Sequence, residues 1–557
     1  MSKKTEFESY SEMPIRPMTI ADMLWNETGS WRNVRPVYSK AVSPCILGCP
    51  ASENIQHYIR LVLDRKYEEA WKTIIETNPM PAVTGRVCFH PCMTKCTRSD
   101  YDESLNIIAI ERSLGDMGLE NPEWMGKTEA GRKEKVAVIG SGPAGLSCAF
   151  YLARAGYPVT LYEADSEAGG VLRWGIPEYR LPNDVLDRVI EAVVESGPIE
   201  VKTGVTVGKD LSLDELDDQY DAVFVGIGLS RSRELGIDNE DSEGVEKGLN
   251  FLRKVNSGEK VAIGKKTVVI GGGNTAMDVA RCALRLGSDV TVVYRRTLAE
   301  MPAISDEIEE AESEGVKFKY LASPKEIVTA DGKLEKVVFQ KMELGEPDES
   351  GRRSPVPLKG EEFSMEADNM FTAIGEVGDM EGFEKELDSE WNLITVSGDY
   401  GQTSRENYFA GGDIVTGAAS VVEAIAAGRK SAEKIDRVFR GVEDPGEEEP
   451  EEFGIDRINT DYFPRTKKNS QPRIVPEKAG DDFGEIMKGY SEDLLQKEAD
   501  RCFSCGVCNY CDNCWIFCPD AAIIRREDEY EINYDYCKGC LVCVQECPRN
   551  VFVIEEE

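Results

Sequence analysis

Short apolar runs alternate with amphipathic stretches between residues 131 and 440. Two of these runs, which begin at Val136 and Thr267, are each followed by a glycine-rich turn and then by residues with helical spacing. Buried strands that alternate with helices are typical of a parallel α/β sheet. The pattern therefore predicts an α/β region that contains a repeated strand–turn–helix unit.

The segments on either side of this region have different patterns. Residues 1–130 are predicted to be helical and contain a first group of cysteines, and residues 501–557 form a cysteine-dense module. Residues 441–453 are acidic and contain proline and glycine, which is typical of a solvated linker, and a helical segment follows up to residue 500. We therefore expect smaller domains at both ends of the α/β region.

The turn of the first repeated unit reads GSGPAG, with glycines at Gly140, Gly142 and Gly145. Glycines with this spacing permit a tight turn and let the backbone approach a pyrophosphate, whose charge the start of the helix stabilises. Glu163 ends the next strand, where a carboxylate accepts hydrogen bonds from ribose hydroxyls. Together these features predict a dinucleotide site.

The turn of the second unit has the related pattern Gly271, Gly273 and Ala276. No acidic residue ends the following strand, and Arg295 and Arg296 stand there instead. Two guanidinium groups at that point suit a 2′-phosphate, so NADPH is favoured over NADH. The alternative interpretation is that both arginines are solvated surface residues.

The carboxy-terminal module repeats one cysteine pattern, C-x2-C-x2-C-x3-C-P. This is the spacing of bacterial ferredoxins with two 4Fe–4S clusters, in which each fourth cysteine binds the other cluster. The spacing does not fit a zinc ribbon. We expect cluster I to be bound by Cys508, Cys511, Cys514 and Cys547, and cluster II by Cys537, Cys540, Cys543 and Cys518.

The composition narrows the class of protein further. A formal net charge of −37 over 557 residues argues against binding to nucleic acid or to anionic membranes. No apolar run approaches the ~18 residues of a membrane span, and the opening MSKKTEFESY lacks the apolar core of a secretion signal. We therefore expect a cytoplasmic protein, whose 17 cysteines are metal or redox ligands rather than disulfide partners.

Six ordered motifs resemble the small subunit of bacterial glutamate synthase and its relatives. They are GRVC…PC…C (85–96), GSGPAG (140–145), GGVLRWGIPEYRLP (169–182), GGGNTAMDVAR (271–281), YRR…MPA…EI (294–308) and YFAGGDIVTGAASVVEAIAAGR (408–429). The resemblance implies FAD at the first nucleotide site and the nicotinamide cofactor at the second. It also implies an iron–sulfur domain over 1–130, an FAD domain over 131–254 and 371–440, and an inserted nicotinamide domain over 255–370.

The resemblance further implies individual contacts. Glu163 and Arg180 are expected to contact FAD, Asp413 to hold its ribityl chain, and the helix that starts near Ser420 to point its amino terminus at the isoalloxazine. The other positions that match the nucleotide-binding motifs are Ala144, Gly170, Val171, Gly412, Val421, Asn274 and Thr275.

The amino-terminal cysteines depart from the family pattern. Relatives have a CxxC ahead of the cysteine that aligns with Cys45, whereas residues 35–44 contain no cysteine. A CxxC that the ferredoxin pattern does not need, Cys502 and Cys505, stands near the other end of the chain in a similar context. The resemblance then implies two amino-terminal clusters, one on Cys45, Cys96, Cys502 and Cys505 and one on Cys49, Cys88, Cys92 and Glu111. The alternative is that Cys502 and Cys505 are spare or serve a partner chain.

These features predict an oxidoreductase with flavin-based chemistry and no catalytic side chain of its own. NADPH or NADH is expected to reduce FAD, which passes electrons through 4Fe–4S clusters to a partner subunit or ferredoxin, in a hetero-oligomer or homodimer. The alternatives are a stand-alone or bifurcating NAD(P)H:ferredoxin oxidoreductase and a non-enzymatic iron–sulfur carrier. A disulfide reductase is disfavoured, because residues 131–440 contain no CxxC or CxxxxC pair.

Overall fold

The structure is a computed structural model that describes residue 9 and residues 27–348, 351–398, 401–443, 446, 450–474, 483–526 and 529–557. The opening segment MSKKTEFESY, which bears on the secretion signal, lies outside the described residues except for Ser9, and so does part of the predicted linker. Within the described residues, no helix has both the length and the apolarity that crossing a membrane requires.

In the described residues of the amino-terminal part, one strand is followed by six α-helices. Helix α2 buries Ile55, Tyr58, Ile59 and Val62 on one face, which is the spacing of an amphipathic helix. The elements are β1 (Val34–Tyr38), α1 (Pro44–Leu47), α2 (Ile55–Leu63), α3 (Tyr67–Ile75), α4 (Pro81–Val87), α5 (Pro91–Thr94) and α6 (Ile107–Glu120).

The first nucleotide-binding unit follows. Its strands β2, β3 and β5 consist mostly of buried apolar residues, because other parts of the chain cover both faces of the sheet. The elements are β2 (Val136–Ile139), α7 (Pro143–Arg154), β3 (Val159–Tyr162), α8 (Val171–Trp174), α9 (Asn183–Glu195), β4 (Ile199–Lys202), α10 (Leu213–Asp217) and β5 (Ala222–Val225).

The chain then builds a second parallel sheet and an antiparallel sheet of three strands beside it. The elements are β6 (Arg231–Ser232), β7 (Val245–Lys247), α11 (Gly248–Asn256), β8 (Lys266–Ile270), α12 (Asn274–Arg285), β9 (Asp289–Tyr294), α13 (Ser305–Glu314), β10 (Lys317–Tyr320), β11 (Ala322–Ala330), β12 (Lys333–Pro347), β13 (Arg353–Glu366) and β14 (Asn369–Thr372). The strand order of the parallel sheet is β10-β9-β8-β14-β7.

After β14 the chain returns to the first sheet. Its next elements are β15 (Glu376–Val377), β16 (Ser389–Glu390), β17 (Leu393–Ile394), β18 (Tyr408–Ala410), α14 (Asp413–Thr416) and α15 (Val421–Arg440). Strand β18 pairs in parallel with β5 and completes the order β18-β5-β2-β3-β4. One dinucleotide-binding unit is thus nested within another, and the expected α/β fold class is confirmed.

The carboxy-terminal part returns to the amino terminus. Its elements are α16 (Glu492–Asp500), α17 (Asn513–Ile516), β19 (Ile523–Arg525), β20 (Tyr530–Ile532), α18 (Val542–Gln545) and β21 (Phe552–Glu556). Strand β21 pairs antiparallel with β1, with Val34 opposite Glu556 and Tyr38 opposite Phe552. The strand before α1 and the last strand of the ferredoxin module therefore share one sheet.

Candidate functional site

A continuous cavity of about 1700 Å³ lies between the two parallel sheets. Both glycine-rich turns open into it, and so do the start of α15 and the segment around Gly170. Among the nucleotide-binding candidates, Gly145 and Ala276 do not line the cavity, because they lie under the turns rather than on their surface.

The first turn contains glycines of two kinds. A Cβ atom on Gly145 would lie 1.8 Å from the carbonyl oxygen of Gly140, so this glycine permits close packing of helix and strand. A Cβ atom on Gly142 would meet no protein atom within 4 Å, because the position faces the cavity. The cavity at Gly142 therefore fits a pyrophosphate that approaches the backbone.

Glu163 lies in the cavity wall at the end of β3 and also holds the turn in place. Its carboxylate accepts hydrogen bonds from the backbone N–H of Ser141 at 2.9 Å, from the Ser141 hydroxyl and from the N–H of Asp165 at 2.9 Å. A carboxylate has about four acceptor positions. One remains for a ribose hydroxyl.

The start of α15 reaches the cavity through a capping box. The Ser420 hydroxyl accepts a hydrogen bond from the N–H of Glu423 at 3.3 Å, and the Glu423 carboxylate accepts one from the N–H of Ser420 at 2.7 Å. Asp413, Ser420 and Val421 line the same wall. Burial raises the pKa of Asp413 to about 7, although the Ala419 N–H opposes this shift.

Arg180 has partners that the family resemblance did not indicate. Its guanidinium forms ion pairs with Asp278 and Glu307, both at 2.8 Å, and is largely buried. A buried cation needs anionic partners, and these come from α12 and α13 of the nested unit. These ion pairs join the two units, and the side chain also borders the cavity, so its expected contact with FAD stays a prediction.

The second turn closes against the segment that follows Arg295 and Arg296. Asn274 accepts a hydrogen bond from the N–H of Ile304 at 3.0 Å, and the Thr275 hydroxyl donates to Glu376 at 3.3 Å. A Cβ atom on Gly273 would approach only Pro302, at 4.0 Å. The turn therefore leaves room for phosphate at Gly273, as the first turn does at Gly142.

The two arginines after β9 differ in their surroundings. Arg296 is buried, pairs with Asp348 and donates to the carbonyl of Arg353 at 2.7 Å. These contacts anchor the β12–β13 hairpin, and Arg296 also lines the cavity, so its role at the 2′-phosphate stays a prediction. Arg295 lines the cavity and has no carboxylate within 4 Å among the described residues. Burial and the charge of Arg296 lower the pKa of Arg295, so an anion is favoured there.

The same cavity wall contains Arg352, which the sequence analysis did not single out. It comes from the hairpin that Arg296 anchors, so only the folded structure brings it near Arg295. The signal in the sequence is that Arg352 stands next to Arg353, and such a pair alone does not indicate a ligand.

The amino-terminal cysteines form two groups, and one includes the distant CxxC. Burial raises the pKa of the Cys45 thiol well above its ordinary value, and three neighbouring thiols add to the shift, those of Cys96, Cys502 and Cys505. The structure thus brings together the four cysteines that were expected to bind one cluster. We call them the fold-back group.

The second group, Cys49, Cys88 and Cys92, surrounds buried carboxylates. Burial is the largest cause that raises the pKa of Cys92. The charges of four neighbours raise it further, those of Cys49, Cys88, Glu111 and Glu53. Glu111 was expected from the sequence, whereas Glu53 was not, because its sequence signal is no more than its position shortly after Cys49-Pro50. We call these three cysteines and Glu111 the flavin-side group, because Val87 and Phe89, the neighbours of Cys88, line the nucleotide cavity.

A small polar network holds Glu111 in position. Asn78 donates to Glu111 at 3.2 Å and to Glu53 at 2.9 Å, and the Thr84 hydroxyl also donates to Glu111. Burial raises the pKa of Glu111, and the nearby charge of Glu53 adds to this. Three thiols and a carboxylate are a donor set that fits a 4Fe–4S cluster with one oxygen ligand.

Helix α16 and the residues after it dock onto the amino-terminal domain. Glu498 is fully buried and accepts hydrogen bonds from the N–H of Asn106 at 2.8 Å and from Arg501 at 2.6 Å. Gln56 donates to the carbonyl of Cys505 at 2.6 Å. These contacts position Cys502 and Cys505.

The ferredoxin cysteines also lie in two groups. A small cavity is lined by the four cysteines expected to bind cluster I, Cys508, Cys511, Cys514 and Cys547. Burial raises the pKa of Cys543 to about 12, and the other three cysteines expected to bind cluster II add to the shift, Cys537, Cys518 and Cys540. The donor sets fit the crossed ligand pattern of a two-cluster ferredoxin.

The cysteine groups are wider than the site of a single metal ion. Among the described residues, no three His, Cys, Asp or Glu side chains converge as closely as one bound ion requires. The thiols around a cubane stand farther apart because each binds a different iron atom. Cys148 and Cys282 lie apart from the groups, buried in α7 and α12.

Comparison with known proteins agrees with this geometry. Residues 134–428 match the family model described as pyridine nucleotide-disulphide oxidoreductase. Residues 35–123 match dihydropyrimidine dehydrogenase domain II with a 4Fe–4S cluster, and residues 530–553 match a 4Fe–4S binding domain. The NADPH glutamate synthase small chain of Escherichia coli K12 is 39% identical over 415 residues, which cover 70% of this chain and 87% of the relative.

The chain belongs to the glutamate synthase small-subunit family. Another member, the NADP(+)-dependent formate dehydrogenase subunit beta of Moorella thermoacetica, is 38% identical and the match covers 83% of this chain and 70% of the relative. The NADPH-Fe(3+) oxidoreductase subunit beta of Geobacter sulfurreducens is also 38% identical, over 73% of this chain and 65% of the relative. As a member of this family, the chain is an oxidoreductase with FAD, NAD(P)H and 4Fe–4S clusters as cofactors.

Proposed function

We propose that this chain is the electron-input subunit of a larger enzyme, which takes electrons from NADPH and passes them one at a time to a partner protein. The observation that carries the proposal is the continuity between the nucleotide cavity and the cysteine groups. Val87 and Phe89 line the cavity on either side of Cys88. The flavin-side group therefore begins at the wall of the cavity.

The chain's own residues bind and orient the cofactors. The two glycine-rich turns receive pyrophosphates, and Glu163 accepts a hydrogen bond from a ribose hydroxyl. FAD, when bound, supplies the conversion of hydride transfer into single-electron transfer. The amino terminus of α15 presents its N–H groups and positive dipole end to the same cavity, where negative charge is stabilised.

Arg295 is the proposed determinant of the preference for NADPH. Its guanidinium lines the cavity without a carboxylate partner among the described residues, whereas Arg296 is occupied by Asp348. A guanidinium binds a phosphate with two parallel hydrogen bonds. NADH has no 2′-phosphate and gains nothing from this contact.

The fold-back group joins the two ends of the chain into one route for electrons. Cys45 and Cys96 come from the amino-terminal domain, whereas Cys502 and Cys505 directly precede the ferredoxin module. The proposed order is the flavin-side group, the fold-back group, cluster I and cluster II. A partner subunit or a ferredoxin would receive electrons from the ferredoxin module, in a hetero-oligomer or around a homodimer. We place the activity in the cytoplasm, because cysteines that bind clusters need a reducing compartment.

Electron transfer to a ferredoxin tests the proposal. The anaerobically purified protein, with its clusters, is mixed with NADPH and an oxidised bacterial ferredoxin. We expect rapid reduction of the ferredoxin, and at least a tenfold loss of rate in the Cys514→Ser variant, while NADPH still bleaches the flavin. The Cys282→Ala variant is the matched control, because this cysteine lies outside the groups. Equal ferredoxin reduction by all three proteins would contradict the proposed route.

A further inference from the structure

Arg549 follows the last Cys-Pro pair of the ferredoxin module and lies between two cysteine groups. Its side chain lines the small cavity that the cluster I cysteines surround. Cys502 of the fold-back group is also close enough to interact electrostatically with the guanidinium, and it acts on Arg549 more strongly than the cluster I cysteines do. One cation thus faces two groups that belong to different parts of the fold.

The guanidinium has no carboxylate partner in the part of the chain that the structure describes. No Asp or Glu lies within 4 Å of it, and its buried Nε has no hydrogen-bond partner, among the described residues. Burial lowers the pKa of Arg549, and the groups that oppose this shift are the sulfur atoms of Cys502, Cys511, Cys547 and Cys508. A partly buried cation is costly without anions nearby. The anions available to Arg549 are therefore the cysteine ligands themselves.

An aromatic cluster fixes the position of the guanidinium. Its carbon atom lies 5.1 Å from the centre of the Phe463 ring. Phe463 in turn packs edge-on against Phe503 at 4.7 Å, and Phe503 is the residue after Cys502. This contact excludes water from one side of the cation, where its field is screened less than in solvent.

The effect of a fixed cation on a cluster has a definite sign. A 4Fe–4S cluster with thiolate ligands is negatively charged, and each added electron increases that charge. A nearby positive charge stabilises the reduced form more than the oxidised form, so the reduction potential rises. A cation between two clusters raises both potentials and leaves more distant clusters unchanged.

We propose that Arg549 raises the reduction potentials of two clusters, the one on the fold-back group and cluster I, and thereby sets the step in which electrons cross between the two ends of the chain. In that step one cluster is oxidised, the other is reduced by the same electron, and no bond forms or breaks. The inference rests on the proposed function, because it assumes that both cysteine groups bind clusters.

Charge variants of the full-length protein with its clusters test the inference. Arg549→Met removes the charge and keeps an unbranched stem, whereas Arg549→Lys keeps the charge. Arg526→Met is the matched control, since Arg526 belongs to the same module but is half exposed and pairs with Glu531. The readout is an anaerobic potentiometric titration followed by electron paramagnetic resonance, with iron content measured on each sample.

We expect two of the cluster potentials to fall in Arg549→Met, by about a tenfold change in each reduction equilibrium, or ~59 mV for a one-electron couple. The remaining cluster potentials should match those of Arg526→Met, and Arg549→Lys should stay close to the parent protein. Unchanged potentials in Arg549→Met would overturn the inference. An equal fall in Arg549→Lys would also overturn it, because the effect would then come from packing and not from charge.

A second variant covers the case in which Arg549→Met loses iron. Phe463→Leu keeps the cation but removes the ring that shields it from water, so the same two potentials should fall by a smaller amount. Their constancy in an iron-replete Phe463→Leu protein would refute the inference. If the parent protein itself lacked clusters, the proposed function would fail instead, and iron analysis separates the two failures.

Discussion

Glu498 anchors the fold-back of the chain, and its replacement gives a sharp prediction. The carboxylate is fully buried in α16 and accepts four hydrogen bonds. One oxygen accepts from the N–H of Asn106 and from Arg501, at 2.8 and 2.6 Å. The other accepts from the N–H and the side-chain amide of Asn469, at 2.9 and 2.8 Å. In Glu498→Gln an amide NH₂ would face two of these donors.

The cost follows from this geometry. Breaking a buried ion pair by removing one charge destabilises by about 3–5 kcal/mol. The low end of this range applies to Glu498→Gln, because Arg501 still donates a hydrogen bond to the carbonyl of Glu103 at 2.6 Å. A loss of about 3 kcal/mol weakens docking of this segment roughly a hundredfold. Cys502 and Cys505 would then leave Cys45 and Cys96 for a large part of the time.

Iron analysis is the assay. The parent protein should hold about sixteen irons in four clusters, whereas Glu498→Gln should hold about twelve, with the ferredoxin clusters retained. Asp493→Asn is the matched control, because this carboxylate lies on the same helix but is mostly exposed and pairs with Lys497 at 2.6 Å. Equal iron content and equal amide exchange of α16 in both variants would refute the reasoning.

Three further predictions concern the nucleotide cavity. Gly142→Leu should lose FAD, as measured by flavin absorbance, and keep the unfolding midpoint of the FAD-free parent. Gly145→Ala should unfold more easily, because its Cβ would lie 1.8 Å from the carbonyl oxygen of Gly140. Retained FAD in Gly142→Leu would contradict the placement of the pyrophosphate. Arg295→Met should raise the KM for NADPH about tenfold and leave that for NADH unchanged, and equal changes for both would contradict the assigned role. Burial raises the pKa of Asp413 from 3.8 to about 7, so the FAD-free protein loses stability as the pH rises between those values. In urea titrations, Asp413→Asn should therefore gain stability relative to the parent over that range. A difference in stability that does not depend on pH would count against the pKa shift.

Local patterns in the sequence were sufficient to predict the elements that bind nucleotides through their backbone. The strand, the glycine-rich turn and the following helix are contiguous, so the unit at Val136 and the unit at Thr267 could both be recognised from one stretch of chain each. The same holds for the ferredoxin module, where the spacing of cysteines along a short segment determines which thiols can reach a cubane.

The partners of charged side chains could not be predicted in this way. Arg296 forms an ion pair with Asp348, which is far away in sequence and is brought near by a hairpin. Arg180 forms one with Asp278, which is brought near by helix packing. Glu53 and Asn78 were missed for the same reason, since their network with Glu111 forms only when the helices pack. The placement of Cys502 and Cys505 required a comparison with the family pattern, because no local spacing links them to Cys45.

The number of electrons that the protein returns to NADP⁺ tests the central claim most directly. The protein with FAD and clusters is reduced under anaerobic conditions, freed of reductant and mixed with excess NADP⁺, and the NADPH formed is measured by its absorbance. FAD alone holds two electrons and yields one NADPH, whereas clusters in contact with it hold more. The account predicts more than one NADPH per flavin, and a fall towards one in Cys88→Ser, which breaks the flavin-side group. A yield of one NADPH per flavin in the iron-replete parent protein would contradict the claim that the flavin and the clusters form one electron route.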